Sequence, residues 1–78
     1  MDSKAFVSAV LSWLPDLAPE DREFEETHIA RLQSQGYTVE DAVEYLTYTE
    51  EFGCKLKEEI ALERMAKVRA RVELRALV

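Results

Sequence analysis

The sequence predicts an all-α protein, a small bundle of four helices, and three observations carry that prediction. Apolar residues recur at three- and four-residue steps, the period of a helix face, and not at the alternation of a strand. Glycine and proline occur at only four positions, Pro15, Pro19, Gly36 and Gly53, and these cut the chain into helix-length pieces. The 78 residues are 47% hydrophobic and 33% charged, which is too apolar for intrinsic disorder. No apolar run approaches the ~20 residues that a membrane span needs. The reading is therefore one helical domain over residues 1–78. A chain this short buries only roughly 60 to 65% of its unfolded surface, so its core is modest and gains from a partner.

The first helix is expected over residues 4–14, with Ser3 as its N-cap and Phe6, Val7, Val10, Leu11 and Leu14 on one face. Pro15 stops it. The segment lacks the basic flank and small-residue cleavage site of a signal peptide, so it reads as an ordinary helix. The second helix is expected over residues 19–35. Pro19 suits its first turn, Glu20, Asp21 and Glu23 complement the positive end of its dipole, and Gly36 caps its other end. Phe24, His28, Ile29 and Leu32 should face inward, leaving Glu25 exposed.

Thr38 opens the third helix, expected over residues 39–52, and Asp41 occupies the capping-box position. Val39, Ala42, Val43, Leu46 and Thr49 form its inner stripe, with Tyr37, Tyr45, Tyr48 and Phe52 adding aromatic bulk around it. The last helix, expected over residues 55–77, would reach roughly 35 Å, longer than so small a domain needs. Cys54, Ala61, Met65, Val68 and Val72 line one of its faces. Leu56, Ile60, Ala70, Leu74 and Leu77 form a second apolar stripe, which either packs under the other helices or meets a partner. The expected core is Phe6, Val10, Leu14, Phe24, Ile29, Leu32, Val43, Leu46, Ile60, Met65 and Val68.

Charge adds a direction to this plan. The net charge is -6, but residues 1–54 hold 12 acids against 3 bases, whereas residues 55–78 hold 7 bases against 4 acids. An acidic body and a basic last helix can attract each other within one subunit or across a dimer. Acids near helix N-termini and bases near a C-terminus also complement the macrodipoles, although Glu50 and Glu51 at the end of the third helix would oppose its dipole.

A catalytic constellation is not visible. His28 is the only histidine and falls at helical spacing from Phe24 and Leu32, as a structural residue would. One histidine and one cysteine cannot make a zinc set of usual spacing, and there is no glycine-rich phosphate loop or EF-hand series. No metal, cofactor or catalytic residue is therefore expected. The single cysteine, Cys54, cannot form an internal bridge, which favours a reducing compartment, the cytoplasm, and a packed thiol. The run Gly36-Tyr37-Thr38 followed by Val39-Glu40-Asp41-Ala42-Val43-Glu44-Tyr45-Leu46 resembles parts of ubiquitin-associated domains, three-helix modules whose last helix often carries such a sequence. The resemblance stops short of the family's hydrophobic first-loop signature, so ubiquitin binding is not carried over.

The functional expectation is an acidic intracellular interaction module, an inhibitor or adaptor of the kind that phages and mobile elements encode. Its acidic face, Glu20, Asp21, Glu23, Glu40, Asp41, Glu44, Glu50 and Glu51, would dock on a larger, basic protein, one that handles nucleic acid for example. The alternative is a helical homodimer assembled through Leu56, Ile60, Ala70, Leu74 and Leu77. Weak nucleic-acid contact by the basic stretch belongs to that alternative, although Glu63 and Glu73 interrupt it and the acidic body repels phosphate. A membrane partner is not expected.

Overall fold

A computed structural model describes all residues, 1–78. It contains α1 (Ser3–Ser12), α2 (Arg22–Ser34), α3 (Val39–Leu46) and α4 (Glu58–Ala76), with single 3₁₀ turns at Pro19–Asp21 and Glu50–Phe52 and no strand. Every expected helix is present, and each is shorter than its apolar pattern suggests.

Capping explains most of the boundaries. The side chain of Asp2, and not Ser3, accepts the Ala5 N–H at 2.8 Å and starts α1. That helix ends at Ser12, so Trp13 and Leu14 lie in the turn before Pro15. Pro19 begins a 3₁₀ turn that feeds α2 without belonging to it. Gly36, with φ +96°, ends α2. Its N–H donates to the Gln33 carbonyl at 3.0 Å while the Tyr37 N–H donates back to Leu32 at 3.1 Å, closing a Schellman-type cap. The Thr38–Asp41 capping box is complete in both directions, at 3.1 and 2.9 Å.

The third helix departs most from expectation. It stops at Leu46 because Thr49 is extended, with its hydroxyl and its N–H both donating to the Leu46 carbonyl, at 2.7 and 2.9 Å. Glu50 and Glu51 therefore open a separate turn, and their conflict with the α3 dipole disappears. Gly53 closes that turn at φ +84°. Cys54 to Lys57 then run outside any helix, so Cys54 lies before α4 and not on its face.

The molecule is a thin slab, 38 × 33 × 17 Å. At ~10 Å or more per helix with side chains, that thickness leaves each helix a solvent face. Only 16 of 78 residues are buried, which explains why several expected core positions are not. Phe6, Val10, Leu14, Ile29, Leu32, Leu46 and Val68 are in the core, joined by Val7, Tyr37, Ala42, Tyr45, Phe52 and Val72. Val43 and Met65 pack at its edge. Ile60 is exposed, and so is Phe24, at 69%. The phase of α2 places Glu25, Ile29 and Leu32 inward, so Glu25, expected outside, is 2% exposed. Its carboxylate meets His28 Nδ1 at 3.1 Å, and the imidazole stands 6.3 Å from the Phe24 ring.

α1 packs on α2 and α3, and α4 packs chiefly on α3. Ala61, Val68 and Val72 are the buried residues of α4, with Met65 half-buried among them. The other side of α4 is covered by nothing in this chain, and Leu62, Leu74 and Leu77 on it are exposed.

Candidate interaction surface

Part of the charge asymmetry of the sequence resolves inside the molecule, where Asp41 and Glu44 meet arginines of α4. All four arginines of α4 turn towards α3 or the turns on either side of it. Arg71 Nη2 donates to Asp41 Oδ1 at 2.8 Å and to Glu44 Oε1 at 3.1 Å. Arg75 Nη2 donates to Asp41 Oδ2 and to the Gly36 carbonyl, the latter at 3.3 Å. Arg69 donates to the Tyr45 hydroxyl at 3.1 Å, and Arg64 lies 5.7 Å over the Tyr48 ring. Lys67 pairs instead with Glu63 along α4, at 3.9 Å.

Asp41 is the centre of this junction. It is buried, and its two oxygens serve the Thr38 cap and both arginines. Burial pushes its carboxyl up, but the hydrogen bonds from Thr38, Arg75 and Arg71 outweigh that effect and hold it down, from 3.8 to about 2. The same contacts favour the charged form of Arg71, raising it through Glu44 first and Asp41 second. Next to this cluster Tyr37 and Tyr45 meet edge-to-face at 5.5 Å, and burial raises the Tyr37 phenol.

The expected acidic face is therefore not one surface. Asp41 is withdrawn into the α3–α4 junction, and Glu44 is exposed with Arg71 as its partner. Glu40 is exposed and free of ion pairs. Glu20 and Glu23 are exposed, and Asp21 half-buried, at the start of α2, with no side-chain hydrogen bond to the other acids. Glu50 and Glu51 rim a groove between the Glu50–Phe52 turn and α4, whose floor includes Cys54, Leu56, Ala61 and Met65. No group of three or more His, Cys, Asp or Glu side chains is placed to hold a metal ion.

One feature of the surface has no counterpart in the pattern of acids. Trp13 is 70% exposed at the end of α1. With Val39 and Val43 it lines a mainly apolar hollow whose remaining walls are Glu40 and Glu44. Two of the expected acids thus flank the only tryptophan of the chain. A signal was present in the sequence: Trp13 falls outside the Phe6, Val10, Leu14 stripe, a large aromatic with no assigned place. The rest of the hollow depends on how α1 meets α3, which no local pattern reveals. No helix is long and apolar enough to cross a membrane. No protein-family model matches the chain, and no curated protein or solved structure shows significant similarity to it.

Proposed function

We propose that the protein is a small acidic interaction module, an inhibitor or adaptor, that grips a basic segment of a larger protein through the Trp13 surface. The observation that carries this reading is an exposed indole set beside Val39 and Val43 and flanked by two carboxylates. Tryptophan supplies large contact area with little conformational freedom to lose, and it is enriched among the few residues that carry most of the energy of an interface. Its ring face attracts lysine and arginine, and Glu40, which has no ion pair, adds the charge that steers such a partner in, with Glu44 held beside it by Arg71. Asp41 serves this surface indirectly, since its clasp on Arg71 and Arg75 fixes α3 against α4 and so holds Glu40 and Glu44 in place.

The test is affinity capture from the native host's lysate with the intact protein, Trp13→Ala, Glu40→Lys and Phe24→Ala. The last removes the other exposed aromatic. Proteins retained by the wild type and by Phe24→Ala, lost with Trp13→Ala and Glu40→Lys, and released by salt are the expected result. Capture that does not distinguish the four proteins rules the surface out. The lone tryptophan gives a second readout, because a partner that covers Trp13 shifts its fluorescence to the blue.

A further inference from the structure

We infer that the groove between the Glu50–Phe52 turn and α4 is a second docking site, which takes a short segment of another protein in which an aliphatic side chain stands between lysines or arginines. It shares no residue with the Trp13 surface. Leu56, Leu62 and Met65 supply apolar lining, and Glu50, Glu51 and Glu58 line it with carboxylates. The apolar part is open to a ligand, since Leu56 is 40% and Leu62 55% exposed. The space is about 520 Å³, within the ~300–1,000 Å³ of clefts that hold ligands.

Charge selects the occupant. No basic residue lines the groove, and none of its three carboxylates forms an ion pair. In this they differ from Asp41 and Glu44, which arginines of α4 neutralise. Lys55 and Lys57 flank Leu56 in the chain, but neither lines the groove or pairs with an acid. Arg64 is engaged with an aromatic ring, 5.7 Å from the centre of Tyr48. The groove is therefore apolar surface under three negative charges that the chain does not neutralise.

Such a surface repels nucleic acid, and it repels a second copy of a chain whose net charge is -6. Lysine and arginine suit both of its parts, because their methylene stems cover apolar surface while the charged head stays in water beside the carboxylates. An aliphatic side chain between them covers Leu56 and Leu62. From Glu58 to Met65 α4 advances roughly 10 Å, the length of about three extended residues. The segment that fits is therefore short.

The probe is a capped peptide, Lys-Leu-Lys-Lys-Leu-Lys, titrated into the isotope-labelled full chain and followed amide by amide by NMR. Saturable shifts of the Leu56, Leu62 and Met65 amides are expected, and their absence up to about 1 mM peptide overturns the inference. The same peptide with serine for both leucines should bind about tenfold more weakly or worse; equal binding would mean that the acids alone attract it, and overturns the site. Glu51→Lys should weaken binding about tenfold, and Leu62→Ser should weaken it several-fold, both with unchanged circular dichroism. Glu23→Lys makes the same change of charge outside the groove and should weaken it less than about twofold; a loss equal to that of Glu51→Lys would show attraction to net charge only, and overturns the inference. Groove amides that shift when the chain is concentrated without peptide place a second copy there and overturn it equally. Trp13→Ala should bind peptide in the groove as the wild type does. Shifts confined to the Trp13 indole and its neighbours overturn this inference and leave the Trp13 reading standing.

Discussion

Replacing Asp41 by asparagine isolates the charge at the α3–α4 junction, because the amide keeps the size of the side chain and one oxygen for the Thr38 N–H. The carboxyl sits at about 2 in the folded protein against 3.8 ordinarily. At 1.36 kcal/mol per unit, that depression of nearly two units corresponds to roughly 2.4 kcal/mol. The Arg71 and Arg75 side chains are each 46% exposed, so water screens part of their attraction, and about 1.5–2 kcal/mol is the better expectation. A depressed acid stabilises the fold above its unfolded pKa and loses that contribution as the pH falls towards the folded value. The variant should therefore be about 1.5–2 kcal/mol less stable than the wild type at neutral pH, and the gap should narrow steadily between about pH 4 and about pH 2. Urea unfolding followed by far-UV circular dichroism at several pH values measures the gap directly. Thermal unfolding at neutral pH should show a Tm lower by roughly 6–15 °C. A gap below about 0.5 kcal/mol at neutral pH would mean that the ionised carboxylate does not hold the junction. A gap that stays constant down to the acid limit would refute the assignment just as firmly.

Other substitutions probe the remaining parts of the fold. Leu46→Ala removes a fully buried side chain at the end of α3 and should cost about 2–5 kcal/mol by urea titration. Phe24→Ser should change stability by no more than about 0.5 kcal/mol, since the ring is largely in solvent; a loss above about 2 kcal/mol would place it in the core after all. Gly53→Ala should cost about 1 kcal/mol because φ is +84°, and the cost should be conformational, as the nearest atom to a new Cβ is Asp16 Oδ2 at an ordinary 3.5 Å.

Much of the fold is legible in the residues because helix period and capping are local physics. The stripes of α1 and α4, the Thr38–Asp41 box and the Gly36 cap each act within a turn or two, so a window of sequence contains their cause. The early end of α3 was missed, since the expected helix ran to residue 52, although the misfit of Glu50 and Glu51 with its dipole was a trace of the separate turn that they open. The phase of α2 was missed as well. Hydrophobicity favours Phe24 inside and Glu25 outside, and the reverse holds because Ile29 and Leu32 anchor α2 on α1, and Glu25 shares their face.

The residues by themselves determined the class, the four helices, most of the core and the opposition of an acidic body to a basic last helix. Tertiary structure alone decided where those charges went. Asp41 became a buried clasp for Arg71 and Arg75. Glu40 and Glu44 came to flank Trp13, and one side of α4 was left open. The reason is one of range. Periodicity and caps are settled between residues three or four apart, whereas partners separated by about thirty residues, as Asp41 and Arg71 are, meet only when the helices that carry them pack.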